Sequence, residues 1–245
     1  MRNFKLLIQY DGTRYNGWQK QGNTKNTIQG IFENIISKIF GCNIEVNGSG
    51  RTDAGTHSKG QVANFKCETD MNTYDIFTEI NKYLPKDISV LSCDEVNLRF
   101  HSRLNAKSKK YMYIIDNSSV HDVFLRNYAF RVEEKLNINI MKEASKQFLG
   151  EHDFRAFCSN KRYKKSTIRT IYSIDFKNDN GIIKITFHGN GFLYNMVRIL
   201  VGTLIEVGSG KRSIDDIENI FKNKNREISG FTAPSKGLFL MEVFY

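Results

Sequence analysis

The chain predicts an α+β protein built in two halves. Three features predict it. Segments with strand alternation, such as Phe4, Leu6, Ile8 and Tyr10, give way to segments with helical spacing, such as Ile28, Ile31, Phe32, Ile35, Ile36 and Ile39. The mixture recurs along the whole chain. A cation-rich connector, running from Phe100-His101-Ser102-Arg103 to Ala106-Lys107-Ser108-Lys109-Lys110, separates an N-terminal half (residues 1–105) from a C-terminal half (106–245). At 245 residues the chain suffices for one large domain or two small ones sharing a core.

Each element can be justified in order. Phe4–Tyr10 is a strand turned by Asp11-Gly12. Tyr15 to Gln21 is a polar loop whose aromatics, Tyr15 and Trp18, either stack on bases or pack back onto the sheet. Thr27 caps a helix that Gly41 ends, and Ile44 and Val46 form a short strand. A glycine-rich loop, residues 48–60, leads to a strand over Gln61–Phe65. A helix over Tyr74–Leu84 stops before Pro85, and Ile88–Cys93 is a strand. In the second half Tyr111–Ile115 is a strand with Tyr111 and Tyr113 on one face. Ile138–Leu149 is a helix with Gly150 beyond it. Ile168 to Phe176 pairs through Asn178-Asp179-Asn180-Gly181 with Ile182–Phe187 as a hairpin. Leu193–Val207 and Ile214–Phe221 are helices, and Leu238–Tyr245, apolar on both faces, is a strand buried in the sheet.

The composition is that of a soluble globular protein, 40% hydrophobic and 25% charged. A formal net charge of +10 favours a polyanionic partner, and 12% aromatics favour nucleic acid over a membrane surface. The basic residues are spread along the chain, so charge kept for solubility alone is the competing account. Cys42, Cys67, Cys93 and Cys158 stand far apart, which indicates neither zinc nor a disulfide framework and suits a reducing cytosol. Phe4 enters a strand at once, leaving no room for a signal peptide, and the most apolar stretch is interrupted by Asn195 and Arg198. The expectation is a soluble, cytoplasmic protein.

The chemistry concentrates in Gly48-Ser49-Gly50-Arg51-Thr52-Asp53-Ala54-Gly55-Thr56-His57-Ser58-Lys59-Gly60. Its glycines let the backbone turn and a large partner approach. Arg51, two residues before Asp53, can fold back onto the carboxylate and keep it ionised, as a nucleophilic or electrostatic carboxylate requires. The plainer account is a turn aspartate bonded to its own backbone, with Arg51 paired on the surface. No Lys-Ser or Lys-Thr closes the loop as a phosphate cradle would need, Asp53 occupies the third-glycine position of a dinucleotide fingerprint, and His57 has no second metal ligand beside it.

Two residues could complete a site. Tyr111 follows Lys107, Lys109 and Lys110, an arrangement that suits a stacked nucleobase with its phosphates held nearby, or equally a half-buried strand tyrosine. Arg198 lies in an apolar helix and needs a partner, either Asp53 or another acid in a structural pair.

Together these residues give the chain a specific resemblance. Tyr10-Asp11-Gly12 with Gly17-Trp18-Gln19, then Gly50-Arg51-Thr52-Asp53-Ala54-Gly55 with Gly60-Gln61-Val62, then Phe100-His101 with Ala106 follow one another in order. Tyr111 with Tyr113, Asn195-Met196-Val197-Arg198 with Gly202, and Gly237-Leu238-Phe239-Leu240 complete the series. This series is similar to that of the tRNA pseudouridine synthase A family, over essentially the whole chain. The resemblance implies two ferredoxin-like (RRM-like) halves whose antiparallel sheets join, flanked by helices, around a basic active-site cleft, usually in a homodimer. It implies conversion of uridine to pseudouridine in the anticodon stem-loop of tRNA, at positions 38 to 40, with no metal or organic cofactor. It assigns Asp53 as the catalytic carboxylate and Tyr111 as the aromatic stacked on the target uracil. Arg51 and Arg198 become the pair that contact the carboxylate and hold the flipped nucleotide's place. Thr56 stands where the family more often has Val. The segments Ser118–Leu125 and Ser159–Ser166 look variable, and loops of this kind touch tRNA.

The chemistry agrees with that assignment. The reaction breaks the C1′–N1 bond and makes a C1′–C5 bond with every atom conserved. It therefore needs a carboxylate that attacks C1′ or C6, or that stabilises positive charge at C1′. Base flipping costs a few kcal/mol, which an inserted arginine helps to offset. Two other classes compete. A non-catalytic RNA-binding protein of the same fold would not need the Asp53 carboxylate, and a metal-dependent nuclease would need clustered acids, whereas only Glu68 and Asp70 lie anywhere near.

Overall fold

The computed structural model describes residues 1–160 and 166–245. Part of the Ser159–Ser166 segment singled out above, residues 161–165, therefore lies outside the described residues. The chain forms two compact units, residues 1–107 with 239–245, and residues 108–238. The last strand thus packs with the first unit, a grouping that division by chain position does not anticipate.

In the first unit β1 (Arg2–Tyr10) lies between β3 (His57–Cys67) and β4 (Ile88–Val96), antiparallel to both. Phe4 is opposite Phe65 and Leu6 opposite Ala63. β2 (Asn47–Gly48) pairs antiparallel with β3, and β10 (Leu238–Phe244) runs parallel to it. Helices α1 (Ile28–Phe40) and α2 (Thr73–Tyr83) cover the face carrying Phe4, Leu6 and Ile8, and Ile28, Phe32, Ile36, Ile76 and Ile80 are fully or almost fully buried there. Burying such side chains is worth about 1.5–3 kcal/mol each, which exceeds what helix propensity could supply. Thr27 caps α1 through the Gly30 N–H, and Gly41 ends it at φ 69°. Asn72 caps α2. On the opposite face a buried amide chain runs from Ser102 N–H to Asn64 (2.9 Å) and from Asn64 to Asn3 (3.0 Å).

In the second unit the order is β5 (Ser108–Asp116), β9 (Ile182–Gly189), β8 (Ile168–Asp179), β7 (Gly150–Asp153), with successive neighbours antiparallel. β6 (Phe130–Arg131) pairs with β5. The β8–β9 turn has Asn180 at φ 48° and Gly181 at φ 89°, the two left-handed residues of a tight hairpin. α3 (Ile138–Ser145) packs on α4 (Met196–Gly208), and α5 (Asp215–Asn223) brings Phe221 against Phe148, Phe154 and Phe157.

Several boundaries differ from the sequence expectation, and four of the differences have a local reason. Ile44 and Val46 are buried but form no strand. The backbone of Val46 is engaged instead by α1 side chains, donating to Glu33 and accepting from Gln29, while Ile44 N–H donates to Ser37. The glycine-rich loop is shorter than expected because His57 already opens β3, and Gly60 serves the close approach of β10: a Cβ there would lie 2.2 Å from the Met241 carbonyl oxygen. α3 ends at Ser145 and continues as a 3-10 turn over Lys146–Phe148. α4 starts at Met196 because Asn195 takes a left-handed conformation at φ 61°. Tyr15 and Trp18 pack inward, 5% and 2% exposed, rather than standing in the loop as free stacking surfaces.

Candidate active site

Asp53 stands on a loop braced from four directions within the first unit. Ser49 N–H bonds the Val62 carbonyl at 2.7 Å, and the Ser49 hydroxyl bonds Gln61 Oε1 at 2.6 Å. The Gln61 amide returns to the Gly50 carbonyl at 3.0 Å, closing a clip across the loop's entry. Thr52 is gripped at both ends: its hydroxyl meets Tyr10 Oη at 2.8 Å and its carbonyl accepts from Trp18 N–H at 3.1 Å. Burial pushes the Tyr10 phenol up, against the opposing pull of its bond to Thr52, so it is a neutral hydroxyl at any physiological pH.

Beyond Asp53 the Gly55 N–H donates to the Tyr15 carbonyl at 3.2 Å, and the Thr56 N–H to the Asp53 carbonyl at 3.1 Å. Buried His57 accepts from Gly12 N–H at its Nδ1, 3.0 Å away, and stacks on Phe239. Because Nδ1 accepts there, its 3.1 Å approach to Asp11 is not an ion pair in that tautomer. Gly17, at φ 89°, is needed here: a Cβ would lie 2.5 Å from the Thr52 carbonyl oxygen. The loop is thus held by strand backbone, strand side chains and the Gly12–Trp18 segment together. That is the rigid support a reacting carboxylate requires.

Arg51 departs from expectation. Its guanidinium turns to Gln19, donating from Nε to Oε1 at 3.0 Å, and not to Asp53.

The second unit holds the other two candidates. Tyr111 lies on β5 opposite Phe187, only 8% exposed, with the Phe192 ring edge-on at 5.3 Å. Arg198 sits in the first turn of α4. Its Nε donates to the Ala233 carbonyl and its NH1 to Asn195 Oδ1, both at 2.7 Å. Asn195 is held in turn by Ser159 at 2.9 Å. Its left-handed backbone starts the helix so that its side chain reaches back to Arg198, which explains why these residues stand three apart. Tyr113, buried beside them, bonds the Pro234 carbonyl at 2.7 Å. Burial raises its phenol pKa, which the Arg198 charge partly opposes. Asp53 and Arg51 therefore belong to the first unit, and Tyr111 and Arg198 to the second.

A model of the family described as tRNA pseudouridine synthase matches residues 6–105 and 144–245, spanning the Asp53 loop, β3, and the Asn195–Arg198 turn. The chain belongs to that family. It is an isomerase that converts uridine to pseudouridine in tRNA. It is 50% identical to tRNA pseudouridine synthase A of Bacillus sp. (strain KSM-64) over 240 residues, 98% of each chain. It is 46% identical to tRNA pseudouridine synthase A 2 of Bacillus cereus (strain ATCC 14579) over 99% of each chain. It is 44% identical to tRNA pseudouridine synthase A of Acetivibrio thermocellus over the whole of each.

The sequence reading missed the supports. Thr52, Gln61 and Gln19 make side-chain bonds within or to the loop, and Gln29 with Glu33 anchors Gln19. A usable signal existed for two of them. Gln29 and Glu33 stand one turn apart on a helix whose neighbours are Ile28, Ile31, Phe32 and Ile36, and two polar residues so placed need partners. Among the described residues no helix is long and apolar enough to cross a membrane.

Proposed function

We propose that Asp53 is the carboxylate that drives the isomerisation, and that the substrate uridines lie in the anticodon stem-loop of tRNA, at positions 38 to 40. The observation that carries this reading is the bracing of Asp53: the residues before and after it are fixed by bonds from Tyr10, Trp18 and Tyr15, so the carboxylate stands on a scaffold. Asp53 attacks the nucleotide, or stabilises positive charge at C1′, as the C1′–N1 bond breaks. The uracil turns and its C5 bonds C1′, and any bond that Asp53 has made to the nucleotide breaks, which returns the free carboxylate. C5 then loses its proton and N1 gains one, so atoms and charge balance without a cofactor.

Tyr111 stacks on the uracil and keeps the detached base in place. Its neighbour Phe192 sets the ring's tilt, a support for that role. Arg51 and Arg198 hold the flipped nucleotide's place. The variable segment 118–125 adds contacts to tRNA, and the +10 charge supplies a salt-dependent attraction to phosphates. The protein acts in the cytoplasm as a homodimer. Four free cysteines fit a reducing compartment.

The test uses unmodified tRNA tritiated at C5 of uridine, without added metal. The wild type releases tritium and Asp53→Asn does not, although it still binds tRNA. Release by Asp53→Asn at the wild-type rate would remove Asp53 from the chemistry, and mapping the product nucleotides decides the stem-loop positions.

A further inference from the structure

Beneath Arg51 runs a line of side chains with one direction. Arg51 Nε donates to Gln19 Oε1 at 3.0 Å, and Gln19 Nε2 donates to Gln29 Oε1 at 2.8 Å. Gln29 Nε2 donates to Glu33 Oε1 at 2.9 Å. A guanidinium can only donate and a carboxylate can only accept, so the two ends fix the orientation of both amides between them. The remaining valences are filled as well. Gln29 Oε1 also accepts Lys20 N–H at 3.0 Å, and Gln29 Nε2 also reaches the Val46 carbonyl at 3.2 Å. Glu33 accepts Val46 N–H at 3.3 Å and pairs through Oε2 with Lys20 Nζ at 2.8 Å.

The two ends differ in exposure. Gln29 and Glu33 are each 8% exposed, while Arg51 is exposed. A buried carboxylate would be costly if unpaired, and here every bond it makes also tightens the relay. At the exposed end the Gln19 bond is the one hydrogen bond the guanidinium makes among the described residues. It uses Nε and leaves NH1 and NH2, the parallel pair of donors that matches two oxygens of a phosphodiester.

We propose that Gln19 is a positioning residue for the known reaction: anchored through Gln29 to Glu33, it aims the NH1/NH2 edge of Arg51 at a phosphate of the substrate RNA. The inference rests on the tRNA-modifying reading above. It gives Arg51 a role different from keeping Asp53 ionised, since the guanidinium is engaged elsewhere. It also explains why an amide, Gln29, and a carboxylate, Glu33, occupy a helix face otherwise filled with isoleucine and phenylalanine.

The experiment is a double-mutant cycle in kcat/KM on unmodified tRNA with Gln19→Ala, Arg51→Ala and the double variant, beside tRNA affinity as a function of salt. Gln19→Ala is expected to lower kcat/KM roughly tenfold and to flatten the logarithmic salt slope by about one, as loss of one phosphate contact does. The double variant is expected to be no worse than Arg51→Ala. Gln19→Met keeps the bulk and loses the amide, so it reproduces the effect if Gln19→Ala folds poorly. A merely structural Gln19 would lower the melting temperature and add its loss to that of Arg51→Ala. Additive losses, or wild-type kcat/KM in Gln19→Met, overturn the proposal, as does wild-type behaviour of Arg51→Ala. Asp53→Asn in the same assay separates the two levels. Activity in Asp53→Asn overturns the reading of the carboxylate, whereas an inactive Asp53→Asn with additive Gln19 and Arg51 losses overturns only the relay.

Discussion

The hydroxyls of Tyr10 and Thr52 lie 2.8 Å apart in the buried base of the first unit, one residue before Asp53 along the chain. The Tyr10 hydroxyl is the partner of the Thr52 hydroxyl, so removing it strands Thr52. Tyr10→Phe is expected to cost about 1–3 kcal/mol, the usual penalty for a buried hydroxyl left without a bond. Adding Thr52→Val should recover most of it. Urea unfolding of the wild type, both single variants and the double tests this, and equal stability of Tyr10→Phe and the wild type would mean that the bond contributes nothing.

Thr56 presents the opposite case. It is 1% exposed, and its hydroxyl has no hydrogen-bond partner among the described residues. Replacing that oxygen by a methyl group of the same shape should stabilise the protein by about 1 kcal/mol, since no bond is lost and a desolvation cost disappears. Thr56→Val is thus expected to raise the unfolding midpoint without changing the slope of the transition. A lower midpoint would contradict the unpaired hydroxyl.

Gly202 lies inside α4, where replacing glycine with alanine ordinarily helps a helix by about 1 kcal/mol. Here the sign should reverse. A Cβ at this position would lie 1.9 Å from the Phe231 carbonyl oxygen, which belongs to backbone and cannot swing away. Gly202→Ala is expected to destabilise by more than about 2 kcal/mol, by forcing the two segments apart. Thermal unfolding read by circular dichroism would show it, and a gain in stability would rule out the close approach.

Asp116 ends β5 with only 2% of its side chain exposed. Burial alone would raise its pKa. The Ser118 hydroxyl and N–H, His121 and Arg131 outweigh burial and hold the carboxyl at about 2. A depressed folded-state pKa contributes stability that is complete above the unfolded value of 3.8 and is lost as pH falls from there to about 2. The contribution is on the order of 2 kcal/mol at neutral pH. The stability difference between wild type and Asp116→Asn should therefore shrink across that window and stay constant above pH 5. A difference independent of pH would mean that Asp116 titrates normally.

Periodicity carried the elements whose side chains alone decide them. α1 is legible because Thr27 and Gly41 bracket an apolar stripe, and the β8–β9 hairpin because Asn180-Gly181 supplies two left-handed residues. Ile44 and Val46 misled because their alternation is genuine but their backbone bonds go to Ser37, Gln29 and Glu33, side chains already committed to a helix. His57–Gly60 misled in the reverse direction: small and polar residues read as loop, yet β10 pairs with them from far along the chain. The same limit applies to the site. Asp53 stood out because little surrounds it in sequence. The orientation of Arg51 depends on Gln19, distant in sequence and close in space, and no local pattern encodes that contact.

The placement of residues 239–245 in the first unit has a consequence for synthesis on the ribosome. His57 and Ser58 obtain their parallel neighbour only when Phe239 and Leu240 emerge, long after Lys107 has left the exit tunnel. Until then the strand that leads out of the Asp53 loop presents an uncovered edge, and Ser58 lacks the Leu240 carbonyl it bonds in the finished protein. The nascent chain thus carries the Asp53 loop unsupported on one side until Phe239 and Leu240 have emerged. Premature termination anywhere in the second unit leaves the first without its final strand.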